Sequence, residues 1–258
     1  MTNKLFCFGL GFSARLIARA LQAEGWKIAG TTRSTDKAQQ LKSEGIEPFI
    51  FADDRPIADI ASALDGVTHV LSSAPPGGQG DPVIHHHGGD LASLPTGTWI
   101  GYLSTTGVYG DWGGAEVTEE DDLLPSGKRG RRRVAAEKAW FDLGRRHDLC
   151  VQSFRLAGIY GPGRNALETV RSGRARRIVK PGQVFSRIHV EDIARTVLAS
   201  IKQPNCGAAY NVCDDDAAPP QDVIAHACGL LGVDPPPEQD FATAKLSPMA
   251  ASFYEDNK

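Results

Sequence analysis

The sequence predicts an α/β protein built on a doubly wound, mostly parallel sheet with a small second lobe. Three observations carry that expectation. Short apolar runs alternate with longer amphipathic stretches, a glycine-rich turn joins the first run to the first amphipathic stretch, and no linker divides the 258 residues. Strand–helix–strand repetition of this kind demands right-handed crossovers and parallel pairing.

Taken in order, the runs at 5–8, 27–30, 48–51, 68–71 and 99–103 read as buried strands. Helices are expected at 13–24, 36–43 and 57–64. In the first of these, Leu16, Ile17, Ala20 and Leu21 share one face. A long helix at 131–146 and a strand at 150–155 continue the pattern, followed by helices at 187–201 and 221–231 and a strand at 209–212. Pro and Gly clusters at 75–80, 161–163 and 235–237 mark loops. The expected arrangement is one unit over 1–258, with a core from 1–160 plus 184–213 and a small substrate lobe from 161–183 and 214–258.

Composition excludes several classes. A hydrophobic fraction of 41%, a charged fraction of 23% and a net charge of -3 describe an ordinary globular chain with no global pull toward nucleic acid. No segment approaches the roughly 20 apolar residues that span a bilayer, and the N-terminal apolar stretch is too short for a signal peptide. A cytoplasmic location is expected. The five cysteines lack metal-site spacing and are expected to be free thiols in a reducing compartment.

Gly9-Leu10-Gly11-Phe12-Ser13-Ala14 follows the first strand and opens the first helix. Gly9 permits a tight turn, Gly11 lets backbone approach a pyrophosphate, and Ala14 keeps the helix close to the sheet. This is a Rossmann-type dinucleotide site. The second strand runs into Thr31-Thr32-Arg33, where an NAD site usually places an acid for the ribose hydroxyls. Arg33 instead suits a 2′-phosphate, so NADP is the expected cofactor, with NAD as the alternative. Asp53, just after the third strand, is either an adenine-side contact or a loop cap. Phe12, Ser13, Thr32, Ser73 and Ala74 complete the candidate cofactor set.

Beyond the glycine loop, Ser104-Thr105-Thr106-Gly107-Val108-Tyr109-Gly110, the stretch from Arg155 to Gly163, Arg187-Ile188-His189-Val190-Glu191-Asp192 and Tyr210-Asn211-Val212 stand in a fixed order. With these motifs the chain resembles the extended short-chain dehydrogenase/reductase superfamily, in its NAD-dependent epimerase/dehydratase group. That resemblance implies a tyrosine with a lysine four residues later and a serine or threonine upstream, the phenol exchanging a proton while hydride moves. Thr105 holds the upstream position. In Pro125-Ser126-Gly127-Lys128-Arg129-Gly130-Arg131-Arg132-Arg133-Val134-Ala135-Ala136-Glu137, the proline, glycine and glutamate match the family signature. Arg129 stands in place of the tyrosine and Arg133 in place of the lysine. A rival register, with Val134 and Lys138 at those positions, supplies no phenol either. Thr105, Arg129 and Arg133 are therefore the candidate catalytic residues: Thr105 to orient the reacting oxygen, Arg129 to bind or polarise substrate, Arg133 to hold the nicotinamide ribose. Arginine cannot relay a proton near neutrality. Tyr109 and Tyr160 are the nearest phenols by fold logic, and each reads first as a packing residue.

Lys128 to Arg133 holds five basic residues in six, and Arg171, Arg174, Arg176, Arg177 and Lys180 form a second basic set. Facing sets would suit a small anionic substrate such as a nucleotide diphosphate, and solvated helix faces explain them equally. His85-His86-His87 reads as a polar surface loop rather than a metal site, and Asp214-Asp215-Asp216 as an exposed turn. No metal is expected. A stretch of about 25 residues between Gly161 and Arg187 would make a short lid, poorly enclosing a bulky sugar nucleotide. Homodimerisation, frequent in the resembled family, stays open. The expected function is an atypical NAD(P)-dependent epimerase, dehydratase or reductase acting on a small or nucleotide-linked carbonyl or hydroxyl substrate. The alternative is a non-catalytic NADP(H)-binding sensor.

Overall fold

A computed structural model describes residues 2–254 and 256–257. Met1, Glu255 and Lys258, part of the expected 1–258 unit, lie outside the described residues. The described residues divide into two compact units, the first from 2–105, 132–155 and 190–210, the second from 106–131, 156–189 and the described residues after 210. Segment 106–131, expected in the core, belongs with the second unit.

The chain opens with β1 (Lys4–Phe8), α1 (Phe12–Ala23), β2 (Lys27–Thr32), α2 (Thr35–Ser43) and β3 (Glu47–Ile50). It continues through α3 (Ile60–Leu64), β4 (His69–Ser72), α4 (Pro82–Ala92), β5 (Trp99–Thr105), α5 (Lys128–His147) and β6 (Cys150–Leu156). Then follow β7 (Gly158–Tyr160), α6 (Ala166–Arg171), β8 (Arg177–Val179), β9 (Arg187–His189) and α7 (Val190–Lys202). The last elements are β10 (Ala209–Val212), α8 (Pro220–Leu231), β11 (Glu238–Asp240) and α9 (Pro248–Ala251).

Seven strands form one sheet in the order β10-β6-β5-β4-β1-β2-β3. β1 pairs in parallel with both β2 and β4, Cys7 lying opposite Gly30 on one side and Leu71 on the other. The strand order therefore reverses direction between β1 and β4, the point where open α/β sheets bind ligands beyond their strand ends. β1 is buried along its whole length, which explains its unbroken apolar run. Phe6, Phe8, Phe51, Val70, Ile100, Tyr102 and Trp140 form the core, each burial of that size stabilising by roughly 1.5–3 kcal/mol. On another face α1 packs against α7, burying Ile17 and Leu21 with Ile193 and Val197.

Four expectations are corrected. The helix expected at 57–64 starts only at Ile60, because Asp59 caps it by accepting from Ser62 N at 3.0 Å. Ile57 N–H is drawn away to His87 Nε2 at 3.0 Å. The helix expected from 187 starts at Val190, since Arg187–His189 pairs in parallel with β7. The histidine run is not a loop but part of α4, where Asp81 Oδ1 accepts from Val83 N at 2.9 Å and Ile84 N at 3.1 Å, with Pro82 in the first turn. His87 is buried against Phe8 and Phe51. Finally, the cysteines are not all free thiols. Cys150 and Cys206 form a disulfide, their Cα atoms 4.5 Å apart. Their approach follows from main-chain pairing: Gly207 N donates to Val151 O at 2.7 Å and Ser153 N to Ala208 O at 3.0 Å.

Among the described residues, no helix is long and apolar enough to cross a membrane, and no group of three or more His, Cys, Asp or Glu could hold a metal ion.

In the second unit, β7 pairs with β9 and β8 with β11, while α6 packs on α8. Asp214 is half-buried rather than simply exposed, its main-chain N donating to Arg187 O at 2.6 Å and its carboxylate accepting from His189 N at 3.4 Å.

Candidate functional site

The first unit assembles the glycine loop at the strand-order reversal. Gly9 has φ +87°, a conformation that glycine adopts without steric cost. Its amide donates to Thr31 Oγ1 at 2.7 Å, and its carbonyl accepts from Ser73 Oγ at 2.6 Å. The ends of β1, β2 and β4 are thereby tied into one cradle. A Cβ on Gly9 would stand 2.9 Å from Ser73 Oγ, whereas one on Gly11 would meet nothing within 4 Å. The first glycine is thus demanded by packing, and the second leaves open space over the start of α1. No side chain caps that helix at Gly11, so its N-terminus presents positive potential there. Ser13 and Ala14 are buried beneath the loop, and Phe12 is exposed.

Arg33 is exposed just beyond β2 and has no ion-pair partner among the described residues. Thr32 is half-buried, and its hydroxyl accepts from Ser34 N at 3.5 Å. Asp53 is exposed after β3; its carbonyl oxygen lies 2.8 Å from His86 Nε2, and a Cβ on Gly77 would lie 3.1 Å from its carboxylate. Ala74 is buried beside Ser73.

Arg133 lies along β5, donating to Leu103 O at 2.7 Å and to Tyr102 Oη at 3.2 Å. The Tyr102 phenol is fully buried, and burial raises its pKa above the ordinary tyrosine range in spite of the arginine beside it. It is therefore held neutral and out of reach of solvent. Behind it, Asp81 accepts from Trp140 Nε1 at 3.0 Å. Burial pushes the Asp81 carboxyl up, against the hydrogen bonds from Trp140 and the start of α4. Thr105 closes β5 and is half-buried. Arg129 is exposed in the first turn of α5, within the second unit.

Sequence reasoning missed Thr31, Gly30, Tyr102 and the Asp81–Trp140 pair. A Cβ on Gly30 would lie 2.7 Å from Leu10 Cδ1 and 2.8 Å from Cys7 O, so this strand glycine admits the loop. Glycine within a strand is itself a signal of close backbone approach.

The motif residues largely serve the architecture. Glu137 and Arg155 form a buried ion pair, Arg155 Nε donating to Glu137 Oε1 at 3.0 Å and Ser153 Oγ to Oε2 at 3.0 Å. In the second unit, Tyr109 is buried and donates to Asn211 Oδ1 at 2.7 Å. A Cβ on Gly110 would fall 1.9 Å from Leu124 O, and one on Gly130 2.6 Å from Gly107 O. Tyr160 packs edge-on against His189 at 5.2 Å. A concavity of about 430 Å³, lined by Asn3, Trp26, His69 and Lys202, lies at the N-terminal ends of β1, β2 and β4, the opposite end of these strands from the glycine loop.

Residues 100–213 match the sequence profile of the NAD dependent epimerase/dehydratase family. A functionally unknown conserved protein from Silicibacter pomeroyi DSS is 49% identical across 100% of this chain and 88% of its own, with a TM-score of 0.90. Over residues 100–213 the chain carries the sequence pattern of the NAD dependent epimerase/dehydratase family. Protein YeeZ of Escherichia coli K12 is 27% identical, the match covering 91% of this chain and 86% of YeeZ. The fold is shared with dTDP-glucose 4,6-dehydratase from Bacillus anthracis, solved with NAD, at TM-score 0.75 and 18% identity over 93% and 84% of the two chains. UDP-glucuronic acid 4-epimerase from Bacillus cereus, solved with UDP-glucuronic acid and NAD, gives 0.75 and 15% over 92% and 85%.

Proposed function

We propose that this protein binds NADP(H) at the glycine loop and acts as an atypical epimerase, dehydratase or reductase on a small or nucleotide-linked carbonyl or hydroxyl substrate. The observation that carries the reading is the cradle of Gly9, Thr31 and Ser73 beneath the open space at Gly11, with exposed Arg33 at the end of the second strand. The residues fit a dinucleotide: main-chain amides of the loop for the pyrophosphate, Arg33 for a 2′-phosphate, Asp53 and Ala74 for the adenosine side. A nicotinamide held there supplies a hydride donor or acceptor. Arg133 is preset by Leu103 O and Tyr102 to present fixed positive charge. Thr105 offers a hydroxyl to orient a reacting oxygen, and Arg129 a guanidinium to bind or polarise an anionic substrate.

The second reading is a non-catalytic NADP(H) sensor. It is favoured by the buried Tyr102, the phenol that Arg133 contacts, since a neutral, enclosed hydroxyl cannot exchange protons with a substrate.

Calorimetric titration with NADPH, NADH and their oxidised forms tests both. NADPH binding at least about tenfold tighter than NADH, reduced to parity by Arg33→Ala, is the expected result. Absence of binding to all four refutes both readings. Arg129→Ala then separates them: an enzyme loses turnover in a cofactor-absorbance screen, whereas a sensor keeps its nucleotide affinity and shows no turnover to lose.

A further inference from the structure

Within the second unit, the segment around Asn257 is held as a ligand would be. Asn257 Oδ1 accepts from Val184 N at 2.8 Å, while Asn257 Nδ2 donates to Gly182 O at 2.7 Å. One side-chain amide thus satisfies a main-chain donor and acceptor flanking Gln183. Its own main chain is also engaged: Asn257 N donates to Asp111 Oδ1 at 3.1 Å, and Trp112 N to Asn257 O at 3.4 Å. Next to it, Asp256 is buried and takes a hydrogen bond from Ser126 Oγ, and Asp256 O accepts from Gln183 Nε2 at 2.7 Å. The fit is incomplete. Gln183 is 2% exposed, and its Oε1 is buried with no hydrogen-bond partner among the described residues. A buried acceptor left in that state is costly, and a bound group with a donor there would relieve it.

We propose that the cleft formed by Asp111, Trp112, Ser126 and the strip from Gly182 to Val184 is a small-molecule site, and that Asp256 and Asn257 are its tethered occupant. The ligand class follows from the occupant. It carries a cis-amide edge, an N–H beside a C=O, as in a pyrimidine-type imide or a primary carboxamide, with an anionic group close by in the place of the Asp256 carboxylate. The ligand enters only when the tethered residues leave, so the chain regulates its own site. This site lies wholly in the second unit and does not depend on dinucleotide binding in the first.

The test uses the full chain, a chain ending at Ser252, and the variants Asn257→Ala and Asn257→Asp, with a labelled peptide of residues 254–258 as the first probe. The peptide should bind the shortened chain and not the full one. Uridine 5′-monophosphate, with its imide edge and phosphate, and succinamate, with its carboxamide and carboxylate, should compete with the peptide, and the stronger competitor identifies the source of the edge. The better competitor should bind the shortened chain at least about tenfold more tightly than the full chain, because docking of the tethered residues taxes its apparent affinity. Asn257→Asp, which sets an oxygen against Gly182 O, should give the full chain the same gain and change Trp112 fluorescence. Should the shortened chain fail to fold, the two point variants carry the same comparison. Equal affinity of full-length and released chains, or no competition by either small molecule, overturns the proposal and leaves the segment a structural strap.

Discussion

Replacing Glu137 by Ala should be among the most damaging single changes in the chain. The carboxylate is 3% exposed and its partner Arg155 is 6% exposed. Both Arg155 Nε and a terminal guanidine nitrogen donate to Oε1, at 3.0 and 2.5 Å, and Ser153 Oγ donates to Oε2 at 3.0 Å. Removing the acid takes the Glu137 carboxylate away from a buried guanidinium, and breaking a buried pair in this way costs about 3–5 kcal/mol. For a chain of this size that corresponds to a fall in melting temperature of roughly 6–20 °C. Chemical denaturation and calorimetry of the wild type and Glu137→Ala read it directly. The double variant Glu137→Leu/Arg155→Met removes both charges, and apolar pairs of similar volume are often neutral replacements. It should recover most of the loss. A single-variant cost below about 1 kcal/mol, the range of an exposed pair, would refute the reasoning. So would a double variant no more stable than the worse single one.

Three further outcomes follow from the structure. Gly9→Ala places a methyl 2.9 Å from Ser73 Oγ at φ +87°; it should destabilise by about 1–2 kcal/mol and weaken dinucleotide binding, and unchanged NADPH calorimetry would count against the cradle. His69 is held by burial at a pKa of about 4, down from 6.5. Since the unfolded imidazole binds protons that the folded one refuses, the stability present above pH 6.5 should be lost as pH falls toward 4 and level off below, at no more than about 1.4 kcal/mol per pH unit. His69→Gln should flatten that limb of the stability profile, and an unaltered slope would assign it to other groups. Reducing the Cys150–Cys206 bond, which spans 56 residues of sequence, should cost about 4 kcal/mol in the chain-entropy account. Cys206→Ser should melt at the same temperature with and without dithiothreitol.

The parts of the fold that could be read from the residues are those governed by short-range pattern. The strands β1, β2, β4 and β5 are apolar runs because both faces are buried, and their neighbours in sequence are their neighbours or near neighbours in the sheet. The glycine loop was legible because Gly9 stands at φ +87° against Ser73, and glycines spaced this way between a strand and a helix mark such a turn. What was not legible depends on partners remote in the chain. Arg187–His189 is extended because residues 158–160 pair with it, and three residues carry no period. The α4 histidines hide a helix whose apolar periodicity is weak, although Asp81-Pro82 was a usable start signal. The disulfide needed β10 to return beside β6. At the candidate site, Arg133 was identified from its place in a signature. Its tether to Tyr102 was not, because β5 and α5 meet only in the fold.

The pairing of α1 with α7 also bears on how this protein is made. α1 spans Phe12–Ala23 and α7 spans Val190–Lys202, and each covers the other's apolar face. During synthesis at about 5–20 residues per second, the face bearing Ile17 and Leu21 waits many seconds for its cover. Throughout that interval a nascent chain already able to form β1 and β2 exposes an oily helix surface. Expression at lower temperature, or with a holding chaperone, should therefore improve soluble yield more than any change confined to the finished surface.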